Sequence, residues 1–333
     1  MQVADLRAML ITAGFGTRLS PLTDYLPKPA VPIANRPAAW FALDHLRRAG
    51  ISDFVFNTHH LAAELERAMR QSAPADVQLR FVHEPQILGT GGGIKNAWQP
   101  APRRDETFVV MSGKYVYAPD VAAALALHEA SDVLATLIVK EVPPTDPIGV
   151  VRLDSAGLLA GIPGHAAVGK VDERCFMYTG LSLLSSRAHA ELPDNGCLIR
   201  DGYARWLARG GRIAAYVDTA SFRDVGMSLG HYHEANLAFA TGRLHWPGIE
   251  CASAQGLCNA SARIEAGATL RECVVGARAR IAAGVHLEGC VVWPDTDVTT
   301  SCSDAILLPN GRVTAVTPRP RQDGHDTLAG PVR

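Results

Sequence analysis

The sequence predicts an α/β fold, a mainly parallel sheet with helices on both faces, followed by a short parallel β-helix. Three observations carry that prediction. Over the first 240 residues, short apolar runs alternate with segments of helical spacing. From about residue 260 this texture gives way to a 17-residue repeat. The 333-residue chain is 47% apolar and 20% charged, long enough for about two domains and apolar enough for a large core.

Ala8–Ala13 (AMLITA) reads as a buried strand stopped by Gly14. Ala38–Arg48 places Ala39, Ala42, Leu43 and Leu46 on one helical face, with Gly50 as its stop signal. Asp53–Asn57 is a second strand and Leu61–Gln71 a second helix. Val77–Val82, Thr107–Met111 and Val133–Val139 continue the strand series. Strands separated by helices read as βαβ units, whose parallel sheet is covered on both faces.

In the repeat, Ala262–Arg278 aligns with Ala279–Asp295, and nine of the 17 positions are identical. A weaker third copy is expected to place Val298 after Ile281 and Leu308 after Val291, each 17 residues on. Aliphatic residues recur near every sixth position, with small residues at the corners. A triangular coil needs this pattern: three short strands per turn, each pointing one aliphatic side chain inward. Cys273 and Cys290 then stack as small core residues. The expected division is 1–245 for the α/β domain, 246–317 for the coils and 318–333 for a loose Pro-, Arg- and Gly-rich tail.

Lys plus Arg is 32 and Asp plus Glu 33, so the net charge is −1. No bulk basic charge is available to hold a nucleic-acid backbone or an anionic membrane. Any phosphate must be bound by local geometry. The seven cysteines form no CxxC pair, which argues against disulfide scaffolds and zinc ribbons. The N-terminal MQVADLRAMLITAGFG is too short an apolar run for a signal peptide, and no stretch approaches the ~20 residues of a membrane span. A cytoplasmic protein is expected.

The strongest local motif is Ala13-Gly14-Phe15-Gly16-Thr17-Arg18-Leu19, directly after the first strand. Its glycines let backbone N–H groups approach phosphate oxygens, and Arg18 adds a charged fork. Two named phosphate motifs fail here. The dinucleotide fingerprint wants a Gly at Leu19, and Ser112-Gly113-Lys114 has Phe108 where a P-loop has its first Gly. In Pro27-Lys28-Pro29 a lysine on a stiff base suits a polyphosphate, or is a plain surface turn. Leu88-Gly89-Thr90-Gly91-Gly92-Gly93 allows close approach of a base or ribose, or is a flexible loop before a helix at Ile94–Trp98.

With these segments in order, residues 8–240 resemble the sugar-1-phosphate nucleotidyltransferases, or nucleotide-sugar pyrophosphorylases. GFGTRLSPLT, PKP, EPQILGTGGG and Phe222-Arg223-Asp224-Val225-Gly226 carry the likeness. The LGTGGG form is most similar to the mannose-1-phosphate guanylyltransferase and muramate-1-phosphate uridylyltransferase branch. The resemblance implies a Rossmann-like domain followed by a left-handed β-helix. It implies that Gly14, Gly16, Thr17 and Arg18 wrap nucleotide phosphates, with Ala13 and Thr90 in the same nucleotide site, and that Lys28 acts with Arg18 at the reacting centre. Glu84, Gly89 and Gly91 would border the base, and Gly149, Tyr178, Thr179 and Gly180 the sugar. Asp224 would ligate Mg2+. The partners implied are an NTP, with GTP or UTP favoured, and a sugar-1-phosphate. A homo-oligomer built through the coils is also expected.

The chain departs from that family at three places. The strand ending Val109–Met111 should run into Asn-Gly-Asp, whose Asp is the second metal ligand, but here reads Ser112-Gly113-Lys114. An ammonium cannot ligate Mg2+, and the swap changes local charge by two units. Gly226-Met227-Ser228 stands for the usual Gly-Thr-Pro, and no Glu-Lys-Pro appears between residues 150 and 175, where Lys170 is the only lysine. Two readings follow: a working transferase in which Lys114 joins the nucleotide site and neutralises phosphate, or a silent relative that binds nucleotide as a regulatory or scaffold subunit. Lys114 pointing to solvent from a frayed strand end is the plain alternative. His59-His60, His231, His233 and Cys197 read as turn, packing or surface residues. With His286 as the only His among the coils, an acyltransferase is disfavoured.

Overall fold

The computed structural model describes residues 6–99, 102, 106–144, 150–165, 167, 169–250, 253–311 and 313–315. The chain folds as two compact units. Among the described residues, one takes the chain up to Gly14 with Ala42–Gly113 and Ala118–Ala220, and the other takes Phe15–Phe41, Lys114–Tyr117 and the stretch from Ser221 to 315. The expected tail at 318–333 lies outside the described residues.

The first unit is built on seven strands: β1 (Arg7–Ile11), β2 (Asp53–Thr58), β3 (Gln78–His83), β4 (Thr107–Ser112), β5 (Ala135–Val142), β6 (Cys175–Ser185) and β7 (Ile213–Val217). Their spatial order is β7-β5-β6-β4-β1-β2-β3. Only β6 runs against its neighbours, so the Rossmann-like sheet is mixed but mainly parallel, as predicted. Ala8, Met9 and Leu10 are fully buried, and Met9 sits between Val55 and Val110. An unbroken apolar run is what a strand covered on both sides requires. Strand order reverses at β1, with β2 on one side and β4 on the other. In such sheets the crevice outside the carboxyl ends of the strands at this switch point takes the ligand.

The helix Ala38–Arg48 forms as its spacing predicts. The helix expected at Ile94–Trp98 instead begins five residues earlier and spans Gly89–Ala97, packed on β1 and β2. Gly91, Gly92 and Gly93 are therefore helical and buried. A Cβ on Gly91 would meet Pro193 Cγ at 2.6 Å, and one on Gly92 would meet the Asp194 carbonyl oxygen at 2.5 Å. Close packing on the 193–198 segment outweighs the ~1 kcal/mol per residue by which glycine disfavours a helix.

In the second unit, the helix Leu229–Ala240 is N-capped by Ser228, whose Oγ accepts from the His231 N–H at 3.3 Å. Beyond it three parallel ladders stack Gly256–Cys258 on Cys273–Val275, Arg263–Ile264 on Arg280–Ile281, and Thr269–Arg271 on His286–Glu288. Leu270, Val275, Ile281, Leu287, Val292 and Leu307 fill the space they enclose, together with Cys273 and Cys290. The third copy departs from its expected register. Ile281 does pair with Val298, but Val291 pairs with Ile306 rather than stacking beneath Leu308. Thr299-Thr300-Ser301 makes the corner with two residues fewer than Ala282–His286 does. Among the described residues no helix is long and apolar enough to cross a membrane.

Candidate active site

In the first unit the expected residues gather at the carboxyl ends of β1, β2 and β3. Asn57, at the end of β2, accepts from the Thr12 N–H at 2.8 Å and the Ala13 N–H at 3.3 Å. Its amide donates to Glu84 Oε1 at 2.8 Å, and Glu84 Oε2 accepts from the Leu88 N–H at 3.0 Å. His59 Nδ1 donates to the Glu84 carbonyl at 2.7 Å. Glu84 is wholly buried and spends both carboxylate oxygens on the chain. It thus fixes the segment entering Gly14 to the start of the Gly89 helix. Asn57 is the residue that sequence reasoning missed; its signal was a lone amide ending the apolar run Asp53–Asn57.

Gly91 and Thr90 are engaged within the protein: the Gly91 N–H donates to the Gly196 carbonyl at 2.8 Å, and Thr90 Oγ1 accepts from the Leu198 N–H at 2.8 Å. Gly89, at the helix start, packs on Gly196. Tyr178, Thr179 and Gly180 form a bulge where β6 slips against β5. The Tyr178 and Tyr203 hydroxyls both meet Ser182 Oγ at 2.7 Å, while buried Thr179 donates to the Ile138 carbonyl. Gly149 lies outside the described residues, and Lys170 is exposed.

The charged residues gather in the second unit. Gly16, at φ 67°, opens the single turn Thr17–Leu19, and an added Cβ there would meet Thr23 Cγ2 at 2.9 Å and Lys28 Cβ at 3.0 Å. Only glycine fits that left-handed, crowded position. Phe222–Asp224 pairs antiparallel with Tyr115–Tyr117, setting Asp224 opposite Tyr115. The residue before Tyr115 therefore reaches the carboxylate: Lys114 Nζ lies 2.5 Å from Asp224 Oδ2 and 4.4 Å from the Tyr115 ring centre. Lys114 does not point away into solvent. Asp224 Oδ1 accepts from the Gly226 N–H at 2.8 Å, and Lys28 Nζ donates to the Gly226 carbonyl at 3.0 Å. The Arg18 guanidinium reaches Met227 Sδ at 3.4 Å. Burial, then the cations of Arg18 and Lys114, push the Lys28 ammonium down to about 8, against the pull of Asp224.

This donor set does not fit the Mg2+ expected at Asp224. One carboxylate is present, both of its oxygens are engaged, and an ammonium stands where the second acid was expected. A hard dication wants several oxygen ligands and no adjacent cation. Among the described residues no cluster of three or more His, Cys, Asp and Glu is placed to hold a metal.

Residues 7–238 match the family described as nucleotidyl transferase. The chain belongs to this family. Over 174 residues this nucleotidyl transferase is 36% identical to a UTP–glucose-1-phosphate uridylyltransferase of Synechocystis sp., covering 49% of this chain and 45% of that one. Over 229 residues it is 27% identical to a mannose-1-phosphate guanylyltransferase of Mycobacterium tuberculosis, covering 68% and 62%. The chain spans about half the length of the curated relatives it matches. Its fold is shared with a UDP-glucose pyrophosphorylase from Acinetobacter baumanii, at a TM-score of 0.58 and 23% identity over 73% of this chain and 95% of that one. It is shared also with HddC from Yersinia pseudotuberculosis complexed with GMP-PN, at 0.56 and 22% over 70% and 99%.

Proposed function

We propose that the protein forms a nucleoside-diphosphate sugar and pyrophosphate from an NTP and a sugar-1-phosphate. A sugar-phosphate oxygen attacks the α-phosphorus, the bond from that phosphorus to the β-phosphate bridging oxygen breaks, and pyrophosphate leaves with the electron pair. The observation that carries this reading is the contact of Lys28 Nζ with the Gly226 carbonyl, which joins the PKP segment to the segment bearing Asp224. Two polyanions must meet, so positioned cations supply most of what the reaction needs. Arg18 and Lys28 neutralise the triphosphate, and the backbone of Gly14, Gly16 and Thr17 donates to it. Ala13 and Thr90 belong to the same nucleotide site, Glu84, Gly89 and Gly91 set the base, and Gly149 and Tyr178–Gly180 set the sugar. The uridylyl- and guanylyltransferase relatives favour UTP or GTP. Mg2+ belongs to the expectation for such a reaction, but the donor set at Asp224 leaves neutralisation to the chain's own cations.

Residues 1–245 are the catalytic part in this reading, and the stacked ladders within 246–317 are compatible with a left-handed β-helix that also joins subunits in a cytoplasmic homo-oligomer. Pyrophosphate release across panels of NTPs and sugar-1-phosphates tests the function; turnover by the unaltered chain is the expected result. The Lys114–Asp224 pair favours a second reading, a silent nucleotide-binding subunit. Turnover that arises only in Lys114→Asp would establish it instead.

A further inference from the structure

The charged cluster of the second unit holds three cations, Arg18, Lys28 and Lys114, around one carboxylate, Asp224. We propose that the Lys114 ammonium takes the place of a divalent ion here, so that the triphosphate of an NTP is bound without metal. This rests on the nucleotidyltransferase reading above and deepens it.

Four features support the assignment. Lys114 is a placed charge: the Asp224 carboxylate and the Tyr115 ring face fix its ammonium from two sides. Its side chain remains 24% exposed, and an ammonium has three N–H donors, so it can donate to a phosphate oxygen while keeping Asp224. A dication at Asp224 would have to displace Lys114 from Oδ2, and would then sit beside both that ammonium and Lys28, a like-charge arrangement that Coulomb's law disfavours. The cluster carries a positive excess, which a tetra-anionic triphosphate complements and a metal-complexed one complements less. The same lysine that breaks the metal site therefore completes an anion site.

Calorimetric titration of GTP and UTP into the full chain, once in EDTA and once in excess MgCl2, tests this. At least one NTP should bind in EDTA no more weakly than with Mg2+. Lys114→Gln should weaken binding in EDTA about tenfold or more, the usual scale for a lost charged hydrogen bond. Lys114→Asp should bind NTP only with Mg2+. Wild-type binding that requires Mg2+ overturns the inference and leaves the functional reading standing. An absence of NTP binding in both buffers overturns both. Undiminished binding by Lys114→Gln also overturns the inference. Thermal melts check that each variant is folded, and if either is not, the two wild-type titrations decide alone.

Discussion

Trp293 donates its indole N–H to the Tyr232 hydroxyl at 2.9 Å, and that hydroxyl donates onward to the Pro32 carbonyl at 2.8 Å. Both rings are buried. Alongside this relay, His233 Nε2 donates to the Gly289 carbonyl at 2.7 Å and the Asn35 amide to the Val275 carbonyl at 3.1 Å. The coils thus brace the helix that follows Asp224 and the segment that carries Lys28. This role is internal to the second unit, and it stands whether or not the coils also join subunits.

Tyr232→Phe tests the brace with little change of volume. It strands the buried Trp293 N–H, at a cost of about 1–3 kcal/mol, and takes a donor from the half-buried Pro32 carbonyl. Urea unfolding should show a loss of about 2 kcal/mol or more with an unchanged m-value. A loss below ~0.5 kcal/mol would mean the relay is incidental.

Two glycines in helices should respond to alanine with opposite sign. Gly230 has only Ser228 Oγ near its Cβ position, at 3.7 Å, so Gly230→Ala should stabilise the protein by up to ~1 kcal/mol through helix propensity alone. Gly92→Ala drives a methyl into the Asp194 backbone at 2.5 Å. Overpacking of that kind costs about 1–3 kcal/mol, more than the propensity gain. Equal signs in denaturant melts would contradict the packing account of the Gly89–Gly93 run.

That run also shows where sequence reading stops. Period and composition located β1 to β5, the helix Ala38–Arg48 and the coil repeat, because each is a local pattern of burial. The helical start at Gly89 was hidden because its cause, the 193–198 backbone, lies about a hundred residues away in sequence. The two-residue deficit of the third coil was hidden because only pairing reveals it. At the site, the motifs located Arg18, Lys28 and Asp224, and the lysine at 114 was legible as a departure. That it is clamped by the carboxylate itself follows from the Tyr115–Asp224 pairing, which no linear motif records. Ser228 was likewise visible only as a lost proline, although it caps the next helix.

Acid should destabilise the first unit through His128. The ring is buried against Thr136 Oγ1 at 2.9 Å, and burial pushes its pKa down to about 4 from 6.5. Between those values the unfolded chain takes up a proton that the folded chain refuses, so stability falls as pH drops from about 6.5 towards 4. The full loss is about 3 kcal/mol, and above about pH 8 the histidine contributes no slope. His45 and His233, also lowered by burial, add slopes of the same sign. Denaturant melts at pH 7.5 and 5 should therefore differ less for His128→Gln than for the wild type. An equal difference in the two proteins would exclude His128 as a source.

The Asn57–Glu84 pair admits a rescue experiment. Asn57 cannot turn its amide over, since Oδ1 already accepts from the Thr12 and Ala13 N–H groups. Glu84→Gln keeps the shape but supplies one NH2 group, which must face either the Asn57 amide or the Leu88 N–H, donor against donor. An unmet buried donor costs about 1–3 kcal/mol, and the strain falls on the residues entering Gly14. Asn57→Asp alone sets two buried carboxylates together and should cost at least as much. In the double variant, the new carboxylate at position 57 would accept from Thr12 and Ala13 with one oxygen. Its other oxygen would accept from the new amide at position 84, whose own carbonyl oxygen accepts from the Leu88 N–H. Every partner is restored with donor and acceptor exchanged. The double variant should therefore be more stable than either single one, and should recover the NTP affinity that both lose. Additive losses in unfolding and titration would show that the two side chains act independently, and the relay from β3 to the Gly14 loop would then carry no coupling.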